Sequence, residues 1–215
     1  MENTEQGGKN VLLKIGNGLE GNAATFTASS DLVTITAHGL SEGDLVSFSV
    51  VNTTTTVVID TDYYVVAPVL ANTFKISATA GGTAINIDAD GTGTSQETFQ
   101  NIGAIRSKTF SAQAEEIDIT NQDSGEWKST LDQAGIRSVT LSGDGVFKDD
   151  STFAKVRQYF LAQSIKNWRL VVSSAGSYWQ GAFKITSLEQ AGDYNAEQTY
   201  SVSLGSSGAV SYTDL

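Results

Sequence analysis

The chain has 215 residues, with 21 glycines, one proline, no cysteine and one histidine, His38. It can bury a genuine core without a partner, while disulfides, cysteine-ligated metals, thiol nucleophiles and histidine-rich metal sites are excluded. Thirteen basic residues against 24 acidic ones give a net charge of -11, so a groove that grips phosphates is not expected anywhere on the surface.

The N-terminal MENTEQGGKN is acidic and polar, without a basic-then-apolar signal pattern, and no apolar run approaches the ~20 residues of a membrane helix. The expectation is a soluble protein made in a cytoplasm, with no membrane partner. VLLKIGNGLEG then reads as a strand running into a turn, and ETFQNIGAIRS as its return, with a different kind of sequence between them. Residues 22–98 are rich in threonine and hold eight acids against one base, Lys75, and so carry seven of the eleven excess negative charges. We read residues 22–98 as a small β module inserted into a hairpin of a host domain formed by residues 1–21 and 99–215.

Within the module, LVTITAHG, DLVSFSVV, TVVID, YYVVAPV, NTFKIS and AINIDAD alternate or run apolar, punctuated by Gly, Asn and Asp. That pattern predicts a meander or small sandwich, with Pro68 at a strand end or edge. Asn86, Asp88, Asp90, Gly91 and Glu97 have the spacing of an EF-hand calcium loop, but position eight is Gly93 and the preceding GGTAINI is β-branched where a helix is required. A glycine-rich β-turn is the expectation. His38, before a Gly turn and without a second ligand, reads as a turn residue.

The host domain supplies strands in AIRSKTFSAQAEEIDIT, IRSVTLSGDGVF, NWRLVVSS, SYWQGAFKITSLEQAG and EQTYSVSLGSSGAVSYT. A single helix follows Asp149, Asp150 and Ser151, which offer N-caps, and Phe153, Val156, Phe160 and Leu161 should line its sheet-facing side. Burying three such side chains contributes roughly 5 to 9 kcal/mol before conformational entropy is counted. The fold class is therefore all-β with one flanking α-helix. Glu115, Glu116 and Asp118 could suggest a glycosidase pair, yet Glu116 and Asp118 fall on one strand face, where a solvated surface is expected. There is no nucleophile elbow and no phosphate loop, so no catalytic, cofactor or metal site is assigned.

Between Ile119 and Ile136 a polar excursion carries one large aromatic, Trp127. Two readings stand side by side. Trp127 and Leu131, four apart, could share one face of a short helix that caps the host core, or an extended arm could present Trp127 to another copy.

The runs GKNVLLKIG, IGAIRS, EEIDITNQDSGEWKSTLDQAGIRSVTLSGDGVFKDD and GAFKITSLEQAGDYNAEQTYSVSLGSSGAVSYT resemble, in order, the tail tube or major tail proteins of long non-contractile-tailed bacteriophages and gene transfer agents. The resemblance implies a β sandwich or barrel with a flanking helix, related in fold to the tube proteins of contractile tails and type VI secretion. It further implies a virion tail protein, assembled in the host bacterial cytoplasm, whose hexameric rings stack into a hollow tube. Double-stranded DNA would pass through the lumen without specific binding. Tape measure, tail tip and tail terminator proteins would be its partners, and no cofactor is implied.

In that family the long connection reaches the adjacent ring, which makes residues 121–135 the arm and Asn121, Asp123, Glu126, Trp127, Leu131, Ala134 and Gly135 the contact candidates. The inserted module, itself similar to small β units of phage structural proteins, would sit on the tube exterior. A carbohydrate- or receptor-binding module of a tail tip or fibre is the alternative, and a β-rich hydrolase using Glu116 or Asp118 a further one.

Overall fold

The computed structural model describes residues 11–103, 105–147, 151–192 and 197–215. Thirteen strands and one α-helix are found among them. The strands are β1 (Leu12–Gly16), β2 (Ala23–Thr27), β3 (Leu32–Thr34), β4 (Leu45–Asn52), β5 (Tyr63–Val66), β6 (Thr73–Ser77), β7 (Gly91–Gln96), β8 (Phe99–Asn101), β9 (Ile105–Ala114), β10 (Arg137–Val146), β11 (Ile165–Val171), β12 (Tyr178–Ala191) and β13 (Thr199–Thr213); α1 is Ser151–Leu161. The expected all-β fold with one helix is what the chain adopts.

The sheet of seven strands runs β8-β1-β11-β12-β13-β10-β9, with neighbours antiparallel throughout. β12 and β13 are the long spine of this sheet. Their register shifts between Gly181 and Phe183 and again between Ile185 and Ser187, and such bulges bend a sheet locally. Alternation along the strands sends Leu13, Ile15, Leu141, Trp168, Leu170, Phe183, Ile185, Val202 and Leu204 into one core. α1 adds Phe153 and Val156 to that core. Leu161, expected on the same face, is instead 74% exposed. Tyr159 and Phe160 of the last turn still pack on the core, but at about 3.6 residues per turn Leu161 projects roughly 100° away from the line of Phe153, Val156 and Phe160. The expected caps Asp149 and Asp150 lie outside the described residues.

β1 and β8 pair as Lys14↔Asn101, Ile15↔Gln100 and Gly16↔Phe99, and Asn17 N donates to Thr98 O at 3.0 Å. The chain between them forms a closed barrel of six strands, β2-β3-β6-β5-β4-β7. It has its own apolar core, including Phe26, Val33, Val46, Phe48, Val65, Phe74 and Ile76.

The barrel corrects the expected meander or sandwich. β4 pairs with β5 through Leu45 and Val46, then with β7 from Ser47 onward, with a shift between Phe48 and Val50; one strand thus turns the corner that closes the sheet on itself. TVVID and AINIDAD are not strands. They form no ladder, although Ile85 N donates to Ile76 O on β6 at 2.8 Å; Val57 and Ile87 plug the barrel core, while Val58 and Ile59 face solvent.

The glycine-rich segment expected to be a turn is, from Gly91 to Gln96, strand β7, bonded to both β2 and β4. Gly93 is required there because a Cβ would run into the Val50 carbonyl and the Phe26 ring. Pro68 does follow a strand end, two residues beyond β5.

Trp168 is the largest fully buried side chain and stands opposite Ile15 on β1 and Gly181 on β12. Trp168→Ala is expected to cost about 3–5 kcal/mol, read as a lowered midpoint in urea unfolding with little change in slope.

Candidate assembly surface

Beyond Ala114 and before Arg137, the β9–β10 ladder continues outward as a projecting arm. Glu115 N donates to Ile136 O at 2.9 Å; further out, Asp118 and Thr130 form a bridge, flanked by Ile119 N to Ser129 O and Leu131 N to Ile117 O, both 2.9 Å. At the tip a 3-10 turn, Gln122–Ser124, is capped by Asn121, whose side chain accepts from Asp123 N at 2.9 Å. Ser124 Oγ reciprocates by accepting from Asn121 N at 3.1 Å. Gly135, at φ 94°, is needed at the arm's root, since a Cβ there would collide with the Glu115 carbonyl.

This geometry overturns the core-capping helix. No helix spans Trp127 to Leu131, and Trp127 is 82% exposed, with its backbone N reaching Ser124 O at 3.4 Å. Asn121 and Asp123 are spent on the tip turn, and Glu126 is exposed. Ala134 is half-buried beside Gly135.

Bridge geometry puts Ile117, Ile119 and Leu131 on one face of the ribbon and Asp118 and Thr130 on the other. Glu116 joins the polar face through its ion pair with Lys128, 2.6 Å, which also raises the Lys128 ammonium above its usual range. The Asp118 carboxyl is held below its usual range by hydrogen bonds from Thr120. Among the described residues the apolar face has no full cover: Ile117, Ile119 and Leu131 are 43–49% exposed and Ile136 more so, and Trp127, close to the tip in sequence, is exposed as well. Sequence reasoning picked out Trp127 and Leu131 but missed Ile117, Ile119 and Ile136. The alternation I-D-I at residues 117–119 was the available signal.

At the root of the arm an open cleft of about 820 Å³ lies between Phe110, Ala112, Ile136, Val139, Trp179 and Val210. Phe110 stacks on Trp179 at 4.8 Å, and Trp179 meets Tyr212 at 4.9 Å. The sheet also leaves two edges: β8, three residues long, and β9, ten residues long and paired on one side only among the described residues.

The residues weighed as chemistry are dispersed into structural roles. Asp88 accepts from the hydroxyls of Thr54 and Thr55 and from Thr55 N, which holds its carboxyl far below the usual range. Asp90 accepts from Ala28 N at 2.8 Å, and Glu97 from Asn167 Nδ2 at 2.6 Å. Burial raises the Glu97 carboxyl despite that bond. The three acids of the calcium-like spacing thus have three different sets of partners. Among the described residues no group of three His, Cys, Asp or Glu side chains could hold a metal ion.

His38 is buried in the barrel: Leu40 N donates to its Nδ1 at 2.9 Å, so Nε2 carries the proton and donates to Leu70 O at 2.7 Å. Burial lowers its pKa.

Comparison with known proteins agrees with an assembly role. Residues 83–212 match the family model described as phage tail tube protein, which is more than half of the chain. Two solved structures share its fold with a TM-score of 0.51: one from the tail of an empty gene transfer agent particle with C6 symmetry, 38% identical, the other from the virion of a native gene transfer agent particle, 37% identical. Each covers 54% of this chain, while this chain covers 87% and 89% of theirs, so nearly a whole relative is matched by just over half of the sequence. No curated protein matches. The molecule is a structural protein of phage-type tails. The chain belongs to the phage tail tube protein family.

Two outcomes are expected. Trp127→Ala should change stability by no more than about 0.5 kcal/mol, because an exposed side chain away from caps and cores contributes little, and thermal melts of the monomer check this. For His38, whose pKa is depressed on folding, the unfolded chain binds the proton more tightly, so stability is full above about pH 6.5 and declines as the pH falls below it. Melts of the native chain and of His38→Gln between pH 7.5 and 5.5 should show the decline only in the native chain.

Proposed function

We propose that this protein forms six-membered rings that stack into the hollow tail tube, with residues 121–135 as the arm that joins one copy to the next. The amphipathic arm is the observation that bears most weight. A two-stranded ribbon is marginally stable in water, and this one keeps an incompletely covered apolar face. Ile117, Ile119 and Leu131 each keep just under half of their surface exposed, so covering the remainder with a second copy contributes about 0.7–1.5 kcal/mol per side chain. The C6 symmetry of the related tail particle supports six copies per ring.

The unpaired β9 edge supports lateral joining, since a strand edge is a template for pairing and a closed ring removes it. On the sheet face opposite the core, the positions that alternate with buried Leu141, Val202 and Leu204 are Thr140, Ser142, Ser201 and Ser203, continued on β9 by Thr109 and Ser111. At these positions of β9, β10 and β13 the face carries hydroxyls and no base, which suits a lumen that double-stranded DNA must traverse without being held by counterion release. Bases of the same face, Lys14, Arg169 and Lys184, stand on β1, β11 and β12.

In this reading residues 1–21 and 99–215 are the tube domain. Residues 22–98 form an inserted unit that must lie on the exterior, because a barrel in the lumen or between rings would block the channel or the stack. The role is structural and not enzymatic. Synthesis in the host bacterial cytoplasm and contacts with tape measure, tail tip and tail terminator proteins follow from a place in the virion tail.

Purified protein examined by gel filtration and negative-stain microscopy should give rings or tubes. Trp127→Ala combined with Leu131→Ser should remain folded but fail to elongate. Stable monomers of the native chain under all assembly conditions, or specific glycan binding by such monomers, would sink the tube reading.

A further inference from the structure

Three consecutive barrel residues, 43–45, are gripped by β8, by α1 and by the two points where the chain enters and leaves the barrel. The Gly43 carbonyl accepts from Gln100 Nε2 on β8 at 3.1 Å. Asp44 Oδ2 takes the Lys155 ammonium of α1 at 2.8 Å, and also accepts from Ser41 N at 2.5 Å. The Leu45 carbonyl accepts from Asn17 Nδ2 at 3.2 Å and from Thr98 Oγ1 at 2.8 Å. Asn17 and Thr98 stand where the chain enters and leaves the barrel, and they are bonded to each other as well. Both crossing points that could act as hinges are therefore tied down to the same short segment.

The ion pair at the centre of this grip is withdrawn from water, with side-chain exposures of 4% for Lys155 and 0% for Asp44. Asp44 Oδ1 has no hydrogen-bond partner among the described residues, so compensation of the carboxylate rests on Ser41 N and Lys155. A helix with only solvent above it would point its lysine outward. Here the lysine is buried against the barrel, and burial of either charge without the other is strongly unfavourable. One helical turn further on, Tyr159 is close enough to feel the same carboxylate, and its hydroxyl is pushed up to about 12 by burial and by the charges of Asp44 and Glu97.

We propose that residues 43–45 are a docking seat through which Lys155 and its neighbours lock the barrel to α1 and β8, making the inserted unit a rigid strut of the subunit and not a swinging decoration. The two apolar cores are separate clusters, so polar geometry sets their mutual attitude. Hydrogen bonds and a paired charge are directional where apolar contacts are not, and they fix an angle that two touching hydrophobic surfaces would leave loose. The inference stands on contacts within one chain and holds whether or not rings form.

Calorimetry of the full-length chain tests the seat. The native protein should unfold in a single transition. Lys155→Met and Asp44→Leu should each lower the midpoint by about 10 °C and split the transition in two, since each strands one buried charge. The double variant, which strands none, should regain most of the loss and the single transition. Two independent transitions in the native chain, or losses that simply add in the double variant, would overturn the proposal. Should a single variant fail to fold, native-state hydrogen exchange on the unaltered chain decides: equal protection of the slowest amides in β4, β5 and α1 supports the seat, and a difference greater than about tenfold refutes it.

Discussion

Every strand has two edges, and the backbone groups along each need a partner. The two parts of this molecule meet that constraint in opposite ways. The residues between β1 and β8 close into a barrel, so β2 and β7 pair with each other and no edge remains. The seven-stranded sheet ends in β8 on one side and in the long β9 on the other. Self-sufficiency of the barrel and incompleteness of the sheet are thus one physical problem with two solutions, and only the open solution invites another copy.

The arm extends the same logic from backbone to side chains. Its hydrogen bonds are satisfied internally by the Asp118–Thr130 bridge and the capped tip turn, which makes it a formed element in advance of any partner. Its apolar residues are not satisfied. A pre-formed ribbon with an incompletely covered face loses little conformational entropy on docking, which favours association. On the proposed tube reading, a second copy supplies the missing cover.

Most of the sheet was legible because β9 to β13 alternate apolar and polar residues, and the helix because Phe153 and Val156 recur at helical spacing. The arm was legible as an anomaly, a long polar detour with one tryptophan, but its conformation was not. Trp127 and Leu131 are compatible with a helical face by spacing alone; the bridge that makes a ribbon depends on Thr130 returning to Asp118, a pairing that no local pattern encodes. Ile117 and Ile119 alternate with acids, and in the sequence alone the acids read as a carboxylate pair before the isoleucines read as a face.

By itself the sequence determined the features whose signal is local: an all-β chain with one helix, and an acidic threonine-rich stretch set apart from its flanks. Alternation and composition are local, and local physics is enough for them. The tertiary structure alone decided that β7, written in glycine and threonine, is a paired strand closing a barrel, that Val57 and Ile87 are plugs, that Lys155 is buried on Asp44, and that Trp127 is left in solvent. Each of these depends on which distant residue fills the space opposite. Identical side chains at identical spacing can be core, interface or surface until the chain has folded around them.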